Sequence, residues 1–226
     1  MMKPVRMICL GAGARGMDAY APYSLLAPDQ LQFVAVADPL EQRRNVFAAR
    51  YGVPETAVFT DWKDALDAGI EADAVLVATQ DNHHVEPACY AMEKGYDVLL
   101  EKPIAKTEAE LMRIYDTSIR TKKRAVVCHV LRYTRFFNTL KAIIDSGALG
   151  DVVNIAHSEN IGYWHMAHSF VRGNWRREDE TSPMILAKSC HDTDILLYLV
   201  GKDCKRVASF GSLKHFTAEN APEGSA

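Results

Sequence analysis

Lys188, His191, Asp192 and Asp194 stand inside "ILAKSCHDTDILLYLVG", Ile185 to Gly201, a stretch that otherwise reads as a buried helix. Ile185, Leu196, Leu197, Leu199 and Val200 are core-forming types, and Gly201 supplies the stop. Burying a charge without a partner is costly, so the polar positions must face water or something the protein binds. The chemistry on offer is proton transfer, because imidazole titrates near neutrality. Lys188 and His191 share a helix face at i, i+3 spacing. A cationic Lys188 would disfavour a second positive charge on His191 and keep it competent as a base. Asp194 would orient the imidazole, and Asp192 is expected to be solvated or paired with Lys188.

Two other sets of residues could take part. "GAGARG" places Gly11, Gly13 and Gly16 in G-x-G-x-x-G spacing, with Ala14 and Arg15 between them. That pattern cradles a dinucleotide pyrophosphate when it follows a strand and opens a helix. Asp38 ends the next strand, where a carboxylate accepts hydrogen bonds from ribose hydroxyls and repels a 2′-phosphate. NAD is therefore preferred to NADP, with Arg43 and Arg44 close enough to weaken the preference. "LLEKP" puts Glu101, Lys102 and Pro103 at another strand end, where open α/β sheets bind their ligands. A surface lysine at a strand end is the plain reading of that tripeptide alone.

The loop "YWHMAHSFVRGNWRR" offers Trp164, His165, His168, Trp175 and Arg176, with Arg172 and Asn174 among them. These suit a hydroxylated or anionic ligand, and equally they suit aromatic packing at a surface or interface. His165, His168, His191 and Asp194 have metal-ligand chemistry but no tight ligand motif, so a metal-free site is preferred.

The elements that must position these residues follow from apolar patterning. "VRMICLGAG", "LQFVAVADP", "ADAVLVATQ", "YDVLLEKP" and "RAVVCHVLRY" read as strands buried on both faces. Between them lie helical segments ending at Gly52 and at Gly95, and one opened by Thr107 with Glu110 as a capping box. This is a parallel, doubly wound sheet. Beyond about Val130 the order becomes α+β. A helix carries Leu140, Ile143 and Ile144 and ends at Gly147. "DVVNIAHSENI" reads as a strand, and "RVASFGSL" as another after the polar helix. Two domains are expected, a dinucleotide-binding one over residues 1–129 and a substrate-binding and oligomerisation one over 130–226, the latter with an open, largely antiparallel sheet. The polar tail "FTAENAPEGSA" directly follows the last strand, so that sheet is expected to be incomplete.

Composition limits the alternatives. The 226 residues are 48% hydrophobic and 24% charged, with a net charge of −3. That balance gives no electrostatic case for nucleic acid or anionic membranes. No apolar run is long enough to span a bilayer, and no secretory signal pattern opens the chain. The five cysteines form no C-x-x-C pair and read as reduced, buried thiols of a cytoplasmic protein.

The ordered series "GAGARG", "VAVADP", "ATQDNHHVEPA", "YDVLLEKPIAKT", "GALGDV" and "KSCHDTDIL", spanning about Met7 to Gly201, resembles the Gfo/Idh/MocA-type oxidoreductases. The resemblance implies a nicotinamide-binding Rossmann domain followed by an α/β domain whose large open sheet makes a homodimer or homotetramer. It also implies hydride transfer at a secondary alcohol or ketone of a sugar, inositol or related polyol, and a full chain longer than this one. By position it makes Lys102 the lysine near nicotinamide and substrate, with Pro103 cis. Thr79, Asp81 and His84 fall on the cofactor-side loop, Glu101 joins the cofactor set, and His191 is the histidine of the catalytic helix. Many members carry an aspartate four residues before that histidine, where this chain has Ala187. His191 as base and Lys102 as stabiliser of alkoxide character form the expected core pair, with Lys102 as base the alternative. Lys188 is expected to touch substrate. Two other functions fit the same residues: a glycosidase or lyase that retains NAD and oxidises the sugar transiently, and a non-catalytic dinucleotide-binding regulator.

Overall fold

The computed structural model describes residues 3–224. The chain divides into two compact units, Met1–His129 with Glu180–Ser182, and Val130–Asp179 with Pro183–Ala226.

The first unit is built on six parallel strands: β1 (Val5–Leu10), β2 (Leu31–Ala37), β3 (Val58–Phe59), β4 (Ala74–Val77), β5 (Asp97–Leu100) and β6 (Ala125–Val127). Their order in the sheet is β3-β2-β1-β4-β5-β6. Strand order reverses between β1 and β4, which opens a crevice beyond their carboxyl ends. The central strands are apolar because both faces are covered, whereas Val126 of the edge strand β6 is exposed. Ile8, Cys9, Leu10, Val36, Val75, Leu76, Val77 and Leu100 are fully or almost fully buried.

The helices of this unit are α1 (Pro22–Leu26), α2 (Glu41–Tyr51), α3 (Trp62–Asp67), α4 (Val85–Glu93) and α5 (Glu108–Thr121). Phe47 of α2 is fully buried and meets Phe33 of β2 edge-on at 5.3 Å between ring centres, with Tyr51 at 4.8 Å. Burying a side chain of that size contributes about 1.5–3 kcal/mol. Thr107 and Glu110 form the expected capping box at the start of α5. Gly52 adopts the left-handed conformation that ends α2.

Register aligns the strand ends. Leu10 lies opposite Ala37 and Val77, Val77 opposite Leu100, and Leu100 opposite Val127. The residues that follow each strand therefore emerge along one edge of the sheet. After β1 the chain forms a π-helical turn, Ala14–Tyr20, in place of an α-helix.

The second unit contains α6 (Arg135–Asp145), α7 (Tyr163–Met166) and α8 (Met184–Val200). Three expectations change here. The segments 151–161 and 206–213 form no strand. Val153, Val207 and Phe210 are almost wholly exposed; alternation makes a strand only where a neighbour completes the ladder, and none does so among the described residues. The aromatic loop is partly helical, with α7 running into a π turn at Ala167–Val171. Finally, α8 buries Ala187, Ile195 and Leu199, whereas Ile185, Leu197 and Val200 are exposed. Ala187, His191, Ile195 and Leu199 recur at i, i+4 and form one ridge of the helix.

Candidate functional site

A cavity of about 370 Å³ opens at the carboxyl ends of the first unit's strands. Gly11, Gly13, Asp38, Arg43 and Thr79 line it, all five expected from the sequence. The two glycines serve it differently. Gly11 has φ +94, and a Cβ there would stand 2.6 Å from the Ala78 carbonyl oxygen. A Cβ on Gly13 would meet nothing nearer than Arg43 Nη1 at 3.8 Å. Its missing side chain leaves backbone open to the cavity, as a pyrophosphate requires. Gly16 does not line the cavity; it is buried, and a Cβ would fall 2.1 Å from the Gly11 carbonyl oxygen. Close packing of the turn against the strand is its role.

Asp38 is 4% exposed. One carboxylate oxygen accepts from Ala12 N–H at 2.8 Å and the other from Leu40 N–H at 2.9 Å. Each oxygen keeps a second lone pair for a ligand hydroxyl. The carboxylate is thus fixed by the glycine loop it faces. Arg44 donates to the carbonyl oxygens of Asp38 and Pro39, so Arg43 is the arginine on the cavity wall. The open backbone at Gly13, the anchored acid and the cavity fit a dinucleotide. Leu40, Trp62, Gln80 and His83 also line the cavity. Trp62 follows β3, a strand of two residues, too short to show any periodicity.

The remaining cofactor-side residues are placed elsewhere. Of the adjacent pair in "DNHH", His83 lines the cavity and His84 is turned into the protein, 1% exposed. Asp81 is also buried and accepts from Ser182 N–H at 3.3 Å. Glu101, 5% exposed, accepts from the Tyr20 hydroxyl at 2.5 Å and from Lys102 N–H at 2.9 Å. Arg15 Nε lies 3.9 Å from the same carboxylate. Burial first, then the contacts with Cys128 and Glu101, push the Tyr20 phenol pKa far up, which keeps it a hydrogen-bond donor. Tyr20 was not among the residues expected from sequence. The Lys102–Pro103 peptide is cis.

The second unit gathers the polar residues of α8 and the aromatic segment. Lys188 Nζ lies 2.9 Å from His165 Nε2 and 6.0 Å from the centre of the Phe170 ring. Trp164 stacks on His165 at 5.5 Å. Asp192 pairs with His157 at 2.7 Å rather than with Lys188. Asp194 receives both Nε and Nη2 of Arg132, at 2.8 and 2.6 Å, which raises the arginine pKa. That arginine comes from the turn Val130–Tyr133, outside α8. His168 lies 3.3 Å from Arg172 Nη2, Phe170 packs near Trp175 at 6.5 Å, and Arg176 donates to the Gly173 carbonyl. Among the described residues no group of three or more His, Cys, Asp or Glu is placed to hold a metal ion. No helix of the described residues is long and apolar enough to cross a membrane.

Comparison with known proteins gives these residues a context. Residues 5–129 match a family model described as an oxidoreductase family, NAD-binding Rossmann fold. Residues 141–225 match the C-terminal alpha/beta domain of the same family. A glycosyl hydrolase family 109 protein of Porphyromonas gingivalis is 28% identical over 239 residues, covering 96% of this chain and 50% of that protein. An inositol 2-dehydrogenase of Streptomyces avermitilis is 31% identical over 218 residues, covering 95% of this chain and 58% of that protein. Two solved structures share the fold. The myo-inositol 2-dehydrogenase from Lactobacillus plantarum has a TM-score of 0.74 at 21% identity, over 89% of this chain and 57% of that one. The WlbA dehydrogenase from Bordetella pertussis, in complex with NADH and UDP-GlcNAcA, has a TM-score of 0.71 at 21% identity, over 88% and 59%. The chain spans about half the length of the curated relatives it matches.

Proposed function

We propose that this chain, which belongs to the Gfo/Idh/MocA oxidoreductase family, transfers hydride between NAD and a secondary alcohol or ketone of a sugar, inositol or related polyol. One observation carries the reading: the dinucleotide cavity and the Glu-Lys-Pro turn leave the same edge of one parallel sheet. The nicotinamide cofactor, when bound, supplies the hydride chemistry. Gly11 permits the tight turn, Gly13 lets the pyrophosphate approach backbone N–H groups, and Asp38 receives the adenine ribose. Residues 1–129 are assigned to dinucleotide binding and 130–226 to substrate binding and oligomerisation.

Lys102 donates to the reacting oxygen and stabilises negative charge as it develops. His191 takes the hydroxyl proton. Lys188 contacts a substrate hydroxyl through its ammonium, and the stacked Trp164 and His165 offer a face for a sugar ring. His168, Trp175 and Arg176 complete the assigned substrate set. Asp38 favours NAD over NADP.

The test is a panel of sugars, inositols and sugar acids with NAD and with NADP, read as cofactor reduction. Turnover with a polyol and NAD is expected, and it is lost in Lys102→Ala and in His191→Ala while NAD still binds. Unchanged turnover in either variant overturns that residue's role. A second reading rests on the family 109 relatives: a glycosidase that oxidises its sugar transiently and makes no net NADH. Release of free sugar from an aryl glycoside, without cofactor reduction, would decide for it.

A further inference from the structure

The buried ring of His84 touches two backbone carbonyls. Its Nδ1 lies 2.8 Å from the Pro103 oxygen and its Nε2 lies 3.2 Å from the Thr79 oxygen. The first carbonyl belongs to the residue after Lys102, and the second to a residue on the cofactor-cavity wall. A neutral imidazole has one N–H. The shorter contact has an ordinary N–H···O length and takes that proton; the Nε2 edge donates to Thr79 only when the ring is doubly protonated.

We propose that His84 is a positioning residue for Lys102, donating from Nδ1 to the Pro103 carbonyl and tying the Glu-Lys-Pro turn to the loop that walls the cofactor cavity. The other flank is held as well, because Glu101 accepts from both Tyr20 and the Lys102 N–H. The backbone on either side of Lys102 is thus fixed by two different elements. His84 reaches neither cofactor nor substrate in this role; it acts through the peptide that carries the lysine. The role matters for catalysis only on the reading of Lys102 given above, and the test separates the two.

Nitrogen-15 NMR of the imidazoles in the unmodified chain should find His84 Nδ1 protonated at neutral pH. A ring protonated on Nε2 alone overturns the proposal. Amide hydrogen exchange then reads the turn without any substrate. In His84→Ala, exchange at Lys102 should accelerate about tenfold or more. In His84→Asn, whose amide nitrogen falls near Nδ1, it should stay within about threefold of the parent. With the substrate found in the panel, His84→Ala should lose about 100-fold in kcat while the NAD dissociation constant moves by less than about threefold. Parallel loss of NAD affinity and kcat would mark a merely structural role, and unchanged exchange at Lys102 would remove the proposal. Should His84→Ala fail to fold, the NMR measurement and His84→Asn still decide. Lys102→Ala with full turnover would sink the lysine reading while leaving the His84 tautomer and exchange results standing.

Discussion

Asp38 and Tyr20 show how single side chains carry the cofactor site. Asp38 has two oxygens and two backbone N–H donors, one from the glycine loop. Asp38→Asn keeps one acceptor oxygen and leaves one buried N–H unpaired, which should cost about 1–3 kcal/mol in urea unfolding and weaken NAD binding. Full stability would mean that water replaces the lost acceptor. Tyr20→Phe removes one hydrogen bond to a buried carboxylate and should cost about 1.5–3 kcal/mol, read the same way. Asp38 was legible in the sequence because a carboxylate at the end of a second strand has a mechanical meaning. Tyr20 was not, since its value depends on Glu101, far along the chain. His83 and His84 were indistinguishable by type, and only the turn around them decides which one sees the cavity. The partners of Asp192 and Asp194 were likewise hidden, because His157 and Arg132 lie outside the helix that suggested the pairing.

At the scale of elements, the two cavity glycines should fail in different ways. Gly11→Ala sets a Cβ against the Ala78 carbonyl at a backbone angle that favours glycine, so it should destabilise the fold by at least about 2 kcal/mol. Gly13→Ala should melt like the parent and bind NAD about tenfold more weakly or worse, because its Cβ stands where the pyrophosphate approaches. Thermal unfolding with NAD titration separates them; a parent-like affinity for Gly13→Ala would count against the cradle. Five of the six strands were legible because short continuous apolar runs leave a strong signal. β3 left none at two residues. The expected strands at 151–161 and 206–213 misled for a different reason, since pattern states what a segment can pair with and not that a partner is present.

Across the whole molecule, exposure sorts the reactive groups. Cys9, Cys89 and Cys128 are buried, Cys190 is half-buried and Cys204 is exposed, so the expectation of uniformly buried thiols fails in the second unit. Burial first, then Asp38, raises the Cys9 thiol pKa well above the usual range, and burial pushes Cys128 up to about 12. The thiolate is the nucleophile, so at mildly alkaline pH alkylation should label Cys204 first and leave Cys9 and Cys128 unlabelled in the folded protein. Labelling of Cys128 at a similar rate would contradict its environment. The segment 201–214 is exposed throughout, and trypsin should cut first at Lys205 or Arg206. First cleavage within the parallel sheet would contradict this order.

The π-helical turn after the glycine loop has a consequence for comparing sequences. Ala21 N–H donates to the Gly16 carbonyl, five residues back, so this turn holds one residue more than an α-turn would. A relative with a regular α-helix here would need a gap opened between Gly16 and Tyr20 to be matched correctly. Without it, every position through Tyr20 would be paired with a neighbour's counterpart, and the tyrosine that grips Glu101 would be scored against the wrong residue.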